Sequence, residues 1–106
     1  MIKVYIASPY SGDVNKNVRR QMKTFDTLAD EGYAPFIPQL YHFQDLMYPR
    51  IYHDWMKLCL EWVTSCDVVL RLKGDSEGAD MEVSLAKRSD IPVVYSIEEL
   101  VGRFPT

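Results

Sequence analysis

Only two cysteines, Cys59 and Cys66, occur in the 106 residues. On a single helix, seven residues would set them roughly 10 Å apart, beyond disulfide reach. Two thiols so spaced also make a poor metal site, so reduced cysteines in a cytoplasmic protein are expected. Histidine is as scarce: His42 and His53 have no ligand spacing, and neither a metal nor a cofactor is expected. The five glycines form no GxGxxG or Walker loop. No serine sits in a nucleophile elbow or beside a histidine, so serine hydrolysis lacks support. Basic residues are not in surplus. The net charge is −3 with no basic tail or stripe, which disfavours a nucleic-acid polymer as partner. A small anion held by backbone N–H groups remains compatible. No apolar run reaches transmembrane length, and the opening Met1–Ile6 is too short for a signal peptide, so no membrane partner is expected. Repeats, low-complexity segments and linkers are also missing.

What is present is an ordinary globular composition, 47% hydrophobic and 25% charged. The length suits one domain over residues 1–106. So short a chain buries a modest core, and a homodimer or larger homo-oligomer is expected to add to it.

Ile2 to Ala7 reads as a buried strand running into the polar loop Ser8-Pro9-Tyr10-Ser11-Gly12-Asp13. A helix follows, with Val18, Met22, Phe25, Leu28 and Ala29 at spacings of three and four, and Gly32 stops it. Ala34 to Pro38 is a second strand. Gln39 to His53 looks irregular and aromatic, either a binding loop or a cover for the core. Asp54 caps a helix over Trp55–Ser65, in which Trp55, Leu58, Cys59 and Trp62 share a face expected to be well buried. Asp67 to Leu72 is a third strand, Glu77 to Ser89 a third helix, Ile91 to Tyr95 a fourth strand. Ser96 and Glu99 form a capping box at the last helix. This alternation predicts an α/β fold, a parallel sheet of four to five strands with helices on both faces. Ligands of such sheets sit at the carboxyl ends of the strands.

One residue breaks the pattern there. On a wheel of about 100° per residue, Glu82 falls with Ala79, Val83 and Ala86 on the apolar side of its helix. Asp80, Ser84, Lys87 and Arg88 take the other side. An inward carboxylate is costly unless paired or hydrogen-bonded. It is either structural, accepting from backbone or from Tyr5, or kept for nucleophilic or acid–base work. Gly78 and Ala79 beside it would let a ligand approach. The loop Ser8 to Asp13 precedes a helix N-terminus and is either an anion cradle or a turn that Asp13 caps.

The segments Val4–Tyr10, Leu60–Val63, Cys66–Leu70 and Ser76–Glu82 together resemble the nucleoside 2-deoxyribosyltransferase superfamily, which includes the 2′-deoxynucleoside 5′-monophosphate N-glycosidases. More narrowly, the chain resembles a branch of short bacterial and phage proteins, over Ile2 to Leu100. The resemblance implies a Rossmann-like, flavodoxin-type sheet and cleavage of an N-glycosidic bond, by hydrolysis or base transfer. It implies that Glu82 attacks the sugar C1′ and that Tyr5 orients it. It implies a nucleoside or nucleotide substrate, with Ser76 leaning toward a monophosphate and Ser8, Ser11 and Gly12 as further phosphate contacts. One departure stands out: Cys59-Leu60-Glu61-Trp62 has cysteine where related enzymes often carry aspartate. A nucleotide-binding or sensor module using the same pocket without catalysis is the alternative.

Overall fold

A computed structural model describes all residues, Met1–Thr106. Four strands form one parallel sheet: β1 (Lys3–Ala7), β2 (Ala34–Phe36), β3 (Val68–Arg71) and β4 (Val93–Val94). Their spatial order is β2-β1-β3-β4. The chain therefore leaves β1 toward one edge and returns to build the other, which opens a crevice beyond the ends of β1 and β3.

Side chains alternate across β1 as strand geometry requires. Val4 and Ile6 join Val68, Leu70, Val94, Leu28 and Leu100 on one face. Tyr5 and Ala7 join Val69, Cys59, Val63, Ala79 and Ala86 on the other. Leu28 comes from α1 (Val14–Asp30) and Leu100 from α5 (Ile97–Arg103); Cys59 and Val63 come from α3 (Tyr52–Val63) and Ala79 and Ala86 from α4 (Glu77–Arg88). Helices thus cover both faces.

Four local expectations change. The stretch from Gln39 to His53 is not irregular: a single 3-10 turn, Pro38–Leu40, leads into α2 (Tyr41–Met47), and α3 already begins at Tyr52. Asp54 lies inside the first turn of α3 and makes no cap; Ile51 stands at that position. The apolar face of α3 is also only partly covered. Met56, Cys59 and Val63 are buried, while Leu58 and Trp62 are exposed. Cys66 follows the end of α3, so the two cysteines do not share a helix; both are free. No helix is long and apolar enough to cross a membrane.

Candidate active site

At the crevice the protein holds a cavity of about 690 Å³, within the size range of small-molecule sites. Its floor comes from α4. Ser76 caps this helix, its Oγ accepting from the Ala79 N–H at 3.1 Å. The cap sets the helix phase, and the phase turns Glu82 inward, 5% exposed. There the Tyr5 hydroxyl donates to the Glu82 carboxylate. Burial pushes Glu82 up to about 7, while the Tyr5 bond and the Arg71 guanidinium pull it down. Burial, then the Glu82 charge, raises Tyr5 well above the usual phenol range. A carboxylate balanced near neutrality at the floor of a cavity suits nucleophilic or proton-transfer work. The same two causes push the Cys59 thiol beside it up to about 12, so Cys59 is neutral and holds its proton.

The loop after β1 supplies the opposite wall. Ser8 is buried, and its Oγ accepts from Gln21 Nε2 at 3.1 Å and Gln39 Nε2 at 3.0 Å. Gln21 also donates to the Ile6 carbonyl at 2.7 Å and accepts from the Gln39 N–H at 3.0 Å. Gln39 Nε2 further donates to the carbonyls of Ser8 at 3.1 Å and Pro9 at 2.7 Å. This network fixes the orientation of both amides and leaves Gln39 Oε1 buried without a donor. Tyr10 lines the cavity and meets His42 Nδ1 on α2 at 2.5 Å, bridging the two sides of the mouth.

Tyr5, Ser8, Tyr10, Ser11, Ser76, Gly78, Ala79 and Glu82 are brought together at this one place. Pro9, Gly12 and Asp13 are not part of the cavity wall. Asp13 instead caps α1, accepting from the Lys16 N–H at 3.1 Å. Pro9 packs on the turn after β3, where Gly74 has φ +122° and a Cβ would fall 2.7 Å from Pro9 Cγ. Glycine is needed there for backbone conformation and for close approach alike. The space beside Gly78 is not free for a ligand either: the Tyr52 hydroxyl stands 2.9 Å from where a Cβ would be.

Gln21 and Gln39 are sites that the sequence reasoning passed over. A wheel drawn for α1 detects Gln21, which shares the buried face with Val18, Thr24 and Leu28. Met22, assigned to that face, is exposed. Gln39 carries no periodic signal, since it sits in a 3-10 turn. Asp45 was also missed; it accepts from the Arg50 N–H at 2.9 Å and from Trp55 Nε1 at 2.6 Å, which hold its carboxyl below the usual carboxylate range. No group of three or more His, Cys, Asp or Glu residues is placed to hold a metal ion.

Residues 2–96 match a family described as a domain of unknown function, DUF7768. The chain belongs to the DUF7768 family. This DUF7768 chain has no significant match among curated proteins. Among solved structures it is similar to a 2-deoxyribosyltransferase from the psychrotolerant bacterium Bacillus psychrosaccharolyticus, with a TM-score of 0.63 and 23% identity over 86% of this chain and 69% of that one. It is also similar to a 2-deoxyribosyltransferase from Leishmania mexicana, with a TM-score of 0.69 and 13% identity over 90% of this chain and 63% of the other. At these identities the likeness establishes a shared fold for the DUF7768 domain, the parallel α/β sheet expected from its sequence.

Proposed function

We propose that this chain cleaves the N-glycosidic bond of a nucleoside, with Glu82 as the nucleophile at the sugar C1′ and Tyr5 as the residue that orients it. The observation carrying the proposal is the Tyr5–Glu82 pair at the floor of the cavity, with the carboxyl poised at about 7. Glu82 forms a glycosyl ester as the base departs, and water or a second base then takes the sugar, the double displacement of retaining glycosidases. The fold shared with two 2-deoxyribosyltransferases supports the same reaction class.

The charge of the wall bears on the choice between nucleoside and 5′-monophosphate. Asp45, Asp75, Glu77 and Glu82 line the cavity, against Arg50 and His42 as its basic chains. Ser76 already accepts from the helix it caps. This balance favours an uncharged nucleoside, with Ser8 and Ser11 as contacts to the sugar. We place the activity in the whole chain as one domain of a cytoplasmic homo-oligomer, whose interface uses exposed apolar residues such as Leu40, Phe43 and Trp62.

A second reading, a nucleotide-binding or sensor module without turnover, is favoured by Cys59, a thiol too weakly acidic to stand in for a carboxylate. One experiment separates the two. The protein is incubated with 2′-deoxynucleosides and their 5′-monophosphates, free base is followed by chromatography, and binding by calorimetry. Base release from deoxynucleosides, abolished in Glu82→Ala, is the expected result. Binding without release supports the module, and release confined to monophosphates overturns the preference for an uncharged substrate.

A further inference from the structure

A departing base must gain a proton, and Tyr5, Cys59 and Asp45 are poorly suited to give one. The Tyr5 proton is engaged by Glu82. The Cys59 thiol is buried. Asp45 is held as an anion by Arg50 and Trp55. Tyr52 differs from all three. Its ring stands exposed at the cavity mouth, and its hydroxyl reaches in over Gly78, 2.9 Å from the position a Cβ would take. The one hydrogen-bond acceptor of that hydroxyl is the thioether of Met56 at 3.6 Å, a weak acceptor that leaves the proton available.

Gly78 and Glu82 are four residues apart on α4 and share a face, a spacing of about 5–6 Å between side-chain origins. The Tyr52 hydroxyl therefore stands one helical turn before Glu82, and both residues line the same cavity. We infer that Tyr52 is the general acid that protonates the departing base. This deepens the proposed N-glycosidic reaction and rests on it. In the first step a Glu82 oxygen bonds to C1′, the C1′–N pair withdraws onto the base, and the Tyr52 proton goes to a base nitrogen, leaving a phenolate. In the second step the phenolate takes a proton from water as that water attacks C1′, and the Glu82–sugar bond breaks. The phenol and the carboxylate are both restored.

The electrostatics keep the proton on Tyr52 until Glu82 reacts. Burial and the charges of Glu77 and Glu82 raise the free Tyr52 phenol, keeping it protonated before reaction. Esterification of Glu82 removes one of those charges, which eases formation of the phenolate when it is needed.

The test compares an ordinary 2′-deoxynucleoside with an activated counterpart whose base leaves without protonation, N7-methylated for a purine or 5-nitro for a pyrimidine. Tyr52→Phe should lose ~10²-fold or more in kcat on the ordinary substrate, within the range of general acid catalysis. It should stay within a few-fold of wild type on the activated one, which also shows that the variant is folded. Equal loss on both substrates, or loss on neither, overturns the role of Tyr52 while leaving a Glu82-dependent glycosidase intact. Failure of the wild type to cleave either substrate overturns both proposals.

Discussion

The hydroxyl of Tyr5, on the first strand, donates to the carboxylate of Glu82, on the helix after the third. It is a buried bond between two titratable groups, and it makes the state of one depend on the other.

Replacing Tyr5 with phenylalanine removes a bond that lowers Glu82 and leaves the burial that raises it. A hydrogen bond to a charged group contributes about 1.5–3 kcal/mol, equivalent to roughly one to two pH units. The rise of kcat/KM with pH, expected near 7 in the wild type, should move up by that amount in Tyr5→Phe. A pH–rate profile of both proteins checks it; an unmoved midpoint would show that Tyr5 does not control the carboxylate.

Glu82→Gln keeps the shape of the side chain and its acceptor for Tyr5 but cannot ionise. The folded value of about 7 lies above the ordinary carboxyl value of 4.5. Between these values the folded chain holds a proton that the unfolded chain has released, so wild-type stability falls as pH rises through the window. Glu82→Gln should therefore exceed wild type by up to about 3 kcal/mol at pH 8, with the gap closing near pH 4.5. Denaturant titrations at both pH values measure the difference. A variant less stable than wild type at pH 8 would mark Glu82 as a structural acceptor.

Gly78→Ala places a methyl group against the Tyr52 hydroxyl at 2.9 Å. The ring is exposed and yields, and alanine is the better helix former, by less than the roughly 1 kcal/mol of a helix interior because Gly78 lies in the first turn. The melting temperature should hold or rise slightly. Activity on an ordinary deoxynucleoside should drop with activity on the activated one spared, as for Tyr52→Phe. Unchanged kinetics on both would show that the position of Tyr52 has no bearing on turnover.

The order of strands and helices was legible because each strand alternates or is fully apolar and each long helix carries a periodic stripe. Residues that make local bonds were legible for the same reason, as with the Ser96 cap, whose Oγ accepts from the Glu99 N–H at 3.0 Å. Glu82 was legible since a wheel registers any charge on an apolar arc. The segment from Pro38 to Met47 escaped, because α2 buries none of its side chains and so shows no stripe.

The sequence by itself determined the parallel α/β architecture and the inward carboxylate, both of which follow from short-range periodicity. Only the tertiary structure decided what surrounds that carboxylate. It removed Pro9, Gly12 and Asp13 from the cavity wall, brought Gln21 and Gln39 together behind Ser8, and set Tyr52 over Gly78. These contacts join residues far apart in the chain, and which of them meet is fixed by strand order and helix phase together, quantities that no local pattern carries.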